Sequence, residues 1–214
     1  MDESTLPNSI QEALITRTAG ASGVARLVID GLLEMSHDQQ LLQQAATWLT
    51  RRLPGYAPIW HISNAARGDR PTDALRAIRL ELDRSVEKSV EAAVAWLSSY
   101  PGPVASAPSS SIVSQVLARL GGRVTGGPAR AAVAGADAIG PTTVLNIQGT
   151  RPLAARLPTV VVTTSLKLVP EAVFSTLGTP SFERIPLIEF AGIVLDGEVL
   201  DHAEVGRRAA AIRG

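Results

Sequence analysis

Cysteine is absent from this chain of 214 residues. That one absence excludes disulfides, thiolate metal ligands and a thiol nucleophile together. An excess of either charge is missing too, because 20 Lys and Arg stand against 20 Asp and Glu. No broad basic surface is therefore expected, and nucleic-acid binding is not indicated. The opening residues MDESTLPNSI carry acid where a secretory leader would be basic, and no apolar stretch follows them. No run approaches the ~18 apolar residues of a membrane span. Walker loop, dinucleotide fingerprint and Gly-x-Ser-x-Gly elbow are all lacking. His37, His61 and His202 lie far apart without ligand spacing, so no metal and no cofactor is expected. What these absences leave is a cytoplasmic protein without a membrane partner.

What is present reads as a folded chain. Charged residues make up 19% and apolar ones 45%, the balance of a globular protein. Apolar residues recur at three and four through Ile10–Leu14, Val24–Leu32 and Leu41–Leu49, predicting two or three helices before residue 53. Ser36 and Asp38 offer capping oxygens for the third, and Pro54-Gly55 ends it. A longer stripe, Leu75, Ile78, Leu82, Val86, Val90, Ala93, Val94 and Leu97, predicts one long helix capped by Thr72. Tyr100-Pro101-Gly102-Pro103 then breaks the chain, so residues 1–100 are expected to form a helical domain and 101–214 an α/β domain. In the second part, Val104–Ser106, the β-branched run Thr159–Thr164 and Ile193–Leu195 predict strands. Helical patterns over Ile112–Leu120 and Ala203–Ile212 suggest a parallel sheet, and Asp196-Gly197 predicts a turn.

Three segments carry residues with chemistry. Ser106–Ser111 joins a strand to a helix; its hydroxyls and N–H groups suit an anion, or simply cap the helix. Asp137 follows an apolar strand, at the edge where open α/β sheets bind ligands, and serves there as acid, base or hydroxyl partner, or only braces a turn. Asn146–Pro152 combines an amide donor and acceptor, a glycine permitting close approach at Gly149, and Thr150 as a helix cap.

The order of these segments resembles the family of the initiation factor 2B regulatory subunits, methylthioribose-1-phosphate isomerase and ribose-1,5-bisphosphate isomerase. The resemblance rests on Gly135-Ala136-Asp137-Ala138-Ile139, then on Asn146, Gly149 and Thr150 with Leu153-Ala154. The strand ending near Lys167, the segment Phe182–Leu187 and the tail Gly192–Leu200 are similar as well. Arg70-Pro71-Thr72 and Arg17 with Gly20-Ala21-Ser22 extend it more loosely into the first half. It implies a helical domain followed by a reduced Rossmann-like parallel sheet, a cleft taking a phosphorylated sugar or nucleotide, and a homodimer formed through the second half. On that basis Ser109, Ser110 and Ser111 are expected to hold phosphate. Asp137 and Asn146 would meet sugar hydroxyls, Gly149 and Thr150 would line the floor, and Lys167 and Arg70 would supply cations. A solvated lysine at a strand end is the other expectation for Lys167.

The departures shape the functional expectation. Pro108 stands about where the isomerases carry a cysteine, Ile147 replaces the lysine of their Asn-Lys-Ile-Gly-Thr segment, and the connection from Leu120 to Ala131 is short. This resembles a shortened and divergent relative. The expectation is binding of a phosphorylated small molecule or a protein partner without turnover. The alternative is an aldose–ketose isomerase of a phosphorylated pentose with Asp137 as acid and base.

Overall fold

The structure is a computed structural model and describes residues 3–16, 19–108, 110–124 and 127–213. Arg17 and Ser109 lie outside the described residues.

Five helices come first: α1 (Asn8–Ile15), α2 (Gly20–Glu34), α3 (Gln39–Arg52), α4 (Ala57–Ala66) and α5 (Pro71–Ser98). Asp38 caps α3, its carboxylate accepting the Leu41 N–H at 2.9 Å. At α5 the structure departs from the sequence reading: Arg70 is the N-cap and Thr72 lies inside the helix. Pro71 lacks an N–H and has the φ of a first helical residue, so the helix opens two residues earlier. Helix α4 was not anticipated. It starts behind Pro54-Gly55 and carries Pro58 in its first turn, with Ile59, Ile62 and Ala66 buried on one face.

The remaining chain runs β1 (Val104–Ser106), α6 (Ser111–Leu120), β2 (Ala131–Ala134), β3 (Ala138–Ile139), β4 (Thr143–Ile147) and α7 (Thr150–Ala154). It continues with β5 (Thr159–Thr163), α8 (Glu171–Phe174), β6 (Phe182–Pro186), β7 (Gly192–Leu195), β8 (Glu198–Leu200) and α9 (His202–Ala210). Strands β1, β2, β5 and β7 are neighbours in that order and parallel, with β8 antiparallel at the edge. The two-residue Asp196-Gly197 link forces that reversal, since a parallel return needs a crossover. A second, antiparallel sheet has the order β3-β4-β6. The fold is thus α/β with a mixed, mostly parallel main sheet.

Alternation along the buried strands divides the interior. Val160, Val162 and Val194 join one core with α2, α5 and α6, whereas Val161, Ile193 and Leu195 face α9 and the second sheet. Every residue of β5 is buried, which explains its run of β-branched side chains. Among the described residues, no helix is long and apolar enough to cross a membrane.

Candidate functional site

The C-terminal ends of β2 and β5 meet α2 and α4 at a buried pair of opposite charges. Asp137 lies between β2 and β3, and three neighbouring elements hold it. Its N–H donates to the Leu145 carbonyl of β4 at 2.9 Å, and its carbonyl accepts the Ala57 N–H of α4 at 3.1 Å. Its carboxyl group accepts the N–H of Ala21 in the first turn of α2, where the helix dipole favours an anion. Burial nevertheless prevails and pushes the carboxyl from 3.8 up to about 6, against the opposing pull of Lys167 and of the Ala21 N–H.

Lys167 sits in a short 3-10 helix just after β5 and is 1% exposed, so it is not the solvated strand-end lysine. The chain turns inward after Thr163 instead of running out to solvent. Burial lowers its ammonium from 10.5 to about 8, with Asp137 opposing and Arg26 adding to the shift. Among the described residues the ammonium makes no hydrogen bond and no ion pair within 4.0 Å. Arg26, on α2, is tied to Asp83 of α5 at 2.7 Å.

Tyr56, which the sequence did not single out, and His61, read there only as one of three scattered histidines, complete this neighbourhood. Tyr56, just ahead of α4, has its phenol pKa raised by burial and then by the Asp137 charge. His61 places Nε2 2.7 Å from the Leu168 carbonyl, which fixes the proton on that nitrogen, and burial lowers its pKa. Both depend on α4, whose signal was the apolar spacing behind Pro58. Ser22 Oγ and Thr163 Oγ1 are buried without a hydrogen-bond partner among the described residues.

The other candidate residues divide by distance from this centre. The β3–β4 register pairs Ala138 with Leu145, and Asn146 is the next residue of β4 after the Leu145 that accepts the Asp137 N–H. Asn146 is buried and donates from Nδ2 to Thr150 Oγ1 at 3.1 Å, while that hydroxyl donates to the Ile147 carbonyl at 2.9 Å. Thr150 is therefore the first residue of α7 and not its cap; Gly149, at φ +97°, takes that place because a left-handed backbone is needed there. Ser110 caps α6, accepting the Val113 N–H at 3.4 Å, and Ser111 opens the helix. A Cβ on Gly135 would stand 2.5 Å from Ser110 Oγ, so the strand end and the serine loop are in direct contact. Arg70 is placed elsewhere: its side chain is 82% exposed at the start of α5 and pairs with Asp73 at 2.6 Å. No group of three or more His, Asp or Glu suited to a metal occurs among the described residues.

No protein-family model matches the chain, and no curated protein matches its sequence. Solved structures do match its fold. A structure of translation initiation factor eIF-2B from Pyrococcus horikoshii aligns with a TM-score of 0.68 at 18% identity, covering 91% of this chain and 98% of the other. For eIF2B β from Chaetomium thermophilum the TM-score is 0.64 at 16% identity, covering 94% and 87%. For 5-methylthioribose 1-phosphate isomerase from P. horikoshii it is 0.60 at 12% identity, covering 97% and 91%. Identities this low speak for architecture alone. The helical first half and the mostly parallel sheet agree with these neighbours on one conclusion: this chain has the fold of the eIF2B subunits and of methylthioribose-1-phosphate isomerase.

Proposed function

We propose that the protein binds a small phosphorylated ligand, a sugar phosphate or a nucleotide, at the Asp137–Lys167 centre and does not turn it over. The observation that carries this reading is Lys167, a buried ammonium without a hydrogen-bonding partner among the described residues. A buried charge is tolerated where something compensates it, and Asp137 does so only through space. A phosphate oxygen would supply the missing acceptor, with the Ala21 end of α2 contributing its dipole. Asp137 and Asn146, on adjoining segments joined by the Asp137–Leu145 backbone bond, are suited to sugar hydroxyls. Non-catalysis is supported by the chain's lack of cysteine, with Pro108 in the loop before α6.

One observation favours isomerisation of a phosphorylated pentose as a second reading. Asp137 at about 6 and Lys167 at about 8 both exchange protons close to neutrality, as an acid–base pair must.

A thermal-shift panel of ribose 1,5-bisphosphate, methylthioribose 1-phosphate and purine nucleotides separates the outcomes. A ligand that binds only the folded state at a hundredfold excess over Kd stabilises by about 2.7 kcal/mol. A selective shift that disappears in Lys167→Met, a variant still folded by circular dichroism, supports the site. The same compound incubated in deuterated water then decides turnover: deuterium at a sugar carbon means isomerase chemistry, and none means binding alone. No shift across the panel would remove the small-ligand reading.

A further inference from the structure

A cavity separate from the Asp137 centre lies on the outer face of α3. Its volume is about 560 Å³, within the roughly 300–1,000 Å³ of small-molecule sites. The core face of α3 is ordinary: Leu42, Ala45, Ala46 and Leu49 are buried. The lining face is not. Gln40, Gln44, Thr47, Trp48 and Arg51 follow one another at helical spacing along the cavity, and Arg67, just past α4, closes it from the other side.

The chemistry of that face differs from that of a merely solvated helix. Helix α5 shows what solvation looks like here, with Arg76, Arg79, Asp83, Glu87 and Glu91 mixing both signs. Helix α3 reads QQLLQQAATWLTRR and contains no acidic residue at all. Among the described residues no carboxylate lines the cavity either. The Arg51 guanidinium makes no hydrogen bond and no ion pair among the described residues. Among the described residues Arg67 bonds only to neutral oxygens, the Ser63 carbonyl at 3.2 Å and Asn64 Oδ1. Its neighbour Arg52 is already engaged, paired with Glu3 and lying 5.4 Å over the Trp48 ring.

We infer that this cavity binds an anion joined to a flat heterocycle, of the size and chemistry of a mononucleotide. Two guanidinium groups without a carboxylate partner suit a phosphate, which they can grip with paired N–H donors. Carboxamides offer a donor and an acceptor each, the pattern needed to read the edge of a heterocycle. Trp48 supplies the apolar ring surface against which such a heterocycle packs. The inference is independent of the Asp137 centre and shares no residue with it.

The chain has three tryptophans, Trp48, Trp60 and Trp96, so the indole N–H resonances of labelled protein report three positions separately. Titration with AMP is expected to move the Trp48 signal saturably while Trp60 and Trp96 stay in place. Arg51→Ala is expected to weaken AMP by about tenfold without changing Tm, and Arg51→Lys by less. Asp137→Asn is expected to leave the Trp48 response intact, which separates this site from the one proposed above. An unmoved Trp48 signal at millimolar AMP would overturn the inference, as would an unchanged affinity in Arg51→Ala. So would poly-glutamate moving Trp48 as strongly as AMP, because the face would then be one that docks acidic protein segments.

Discussion

Asp137 and Lys167 each carry a charge that burial opposes, and they act on stability in different pH windows. The folded-state pKa of Asp137, about 6, lies above its ordinary 3.8, so the folded protein holds this proton more tightly than the unfolded chain. The resulting stabilisation is complete below about pH 4 and is lost as pH rises through about 6. Lys167 is lowered from 10.5 to about 8, so its contribution is lost as pH falls through about 8 and returns toward 10.5. His61, lowered by burial, opposes Asp137 by disfavouring the folded state as it becomes protonated. The comparison with Asp137→Asn isolates the carboxyl group. Urea titrations at a series of pH values should show wild-type stability falling relative to the variant between about pH 4 and 6. The change should be on the order of 3 kcal/mol. Parallel curves would mean that Asp137 is solvated. Asp137 was legible in the sequence as a carboxylate at a strand end, but its burial was not, because α2 and α4 cover it from more than 70 positions away in the chain.

Among the elements, the C-terminus of α5 shows how one side chain can secure a chain reversal. Arg123, in the 3-10 turn after α6, donates to the Leu97 carbonyl at 3.1 Å, to Gly102 at 3.2 Å and also to Tyr100. A cation at this end complements the helix dipole and fills carbonyls that the helix itself leaves open. Arg123→Ala is expected to lower stability by about 1–2 kcal/mol in urea denaturation, and Arg123→Lys by less. An unaffected variant would show that water replaces these bonds at no loss. Helix α5 and strand β5 were plain in the sequence because each carries its own period: a stripe at three and four, and an unbroken β-branched run. The second sheet was not. Strand β3 has two residues, too few for any period, and β4 finds β6 across the intervening β5 and α8. Helix α4 was hidden by its two flanking turns, although Pro58 and the buried spacing of Ile59, Ile62 and Ala66 were there to be read.

At the scale of the whole molecule, we propose the homodimer that the resemblance implies, formed through two side chains of the second half. Ile188 is 78% exposed just beyond β6, and Val199 is 52% exposed on the edge strand β8. Strand β8 leaves one side of its backbone unpaired among the described strands, an edge that a second chain can cover. Light scattering at micromolar concentration should give twice the 22.4 kDa chain mass, and Ile188→Asp should return it to one chain. A single-chain mass for the unmutated protein would dismiss the dimer.

The Ala57–Asp137 and His61–Leu168 bonds have a consequence for time as well as for structure. They bind the helical half across the ends of the strands. If the proposed ligand binds at Lys167, it must wait for that cover to part, so the observed association rate should level off as ligand concentration grows. The plateau is then the opening rate of the protein itself, the same for every ligand that fits.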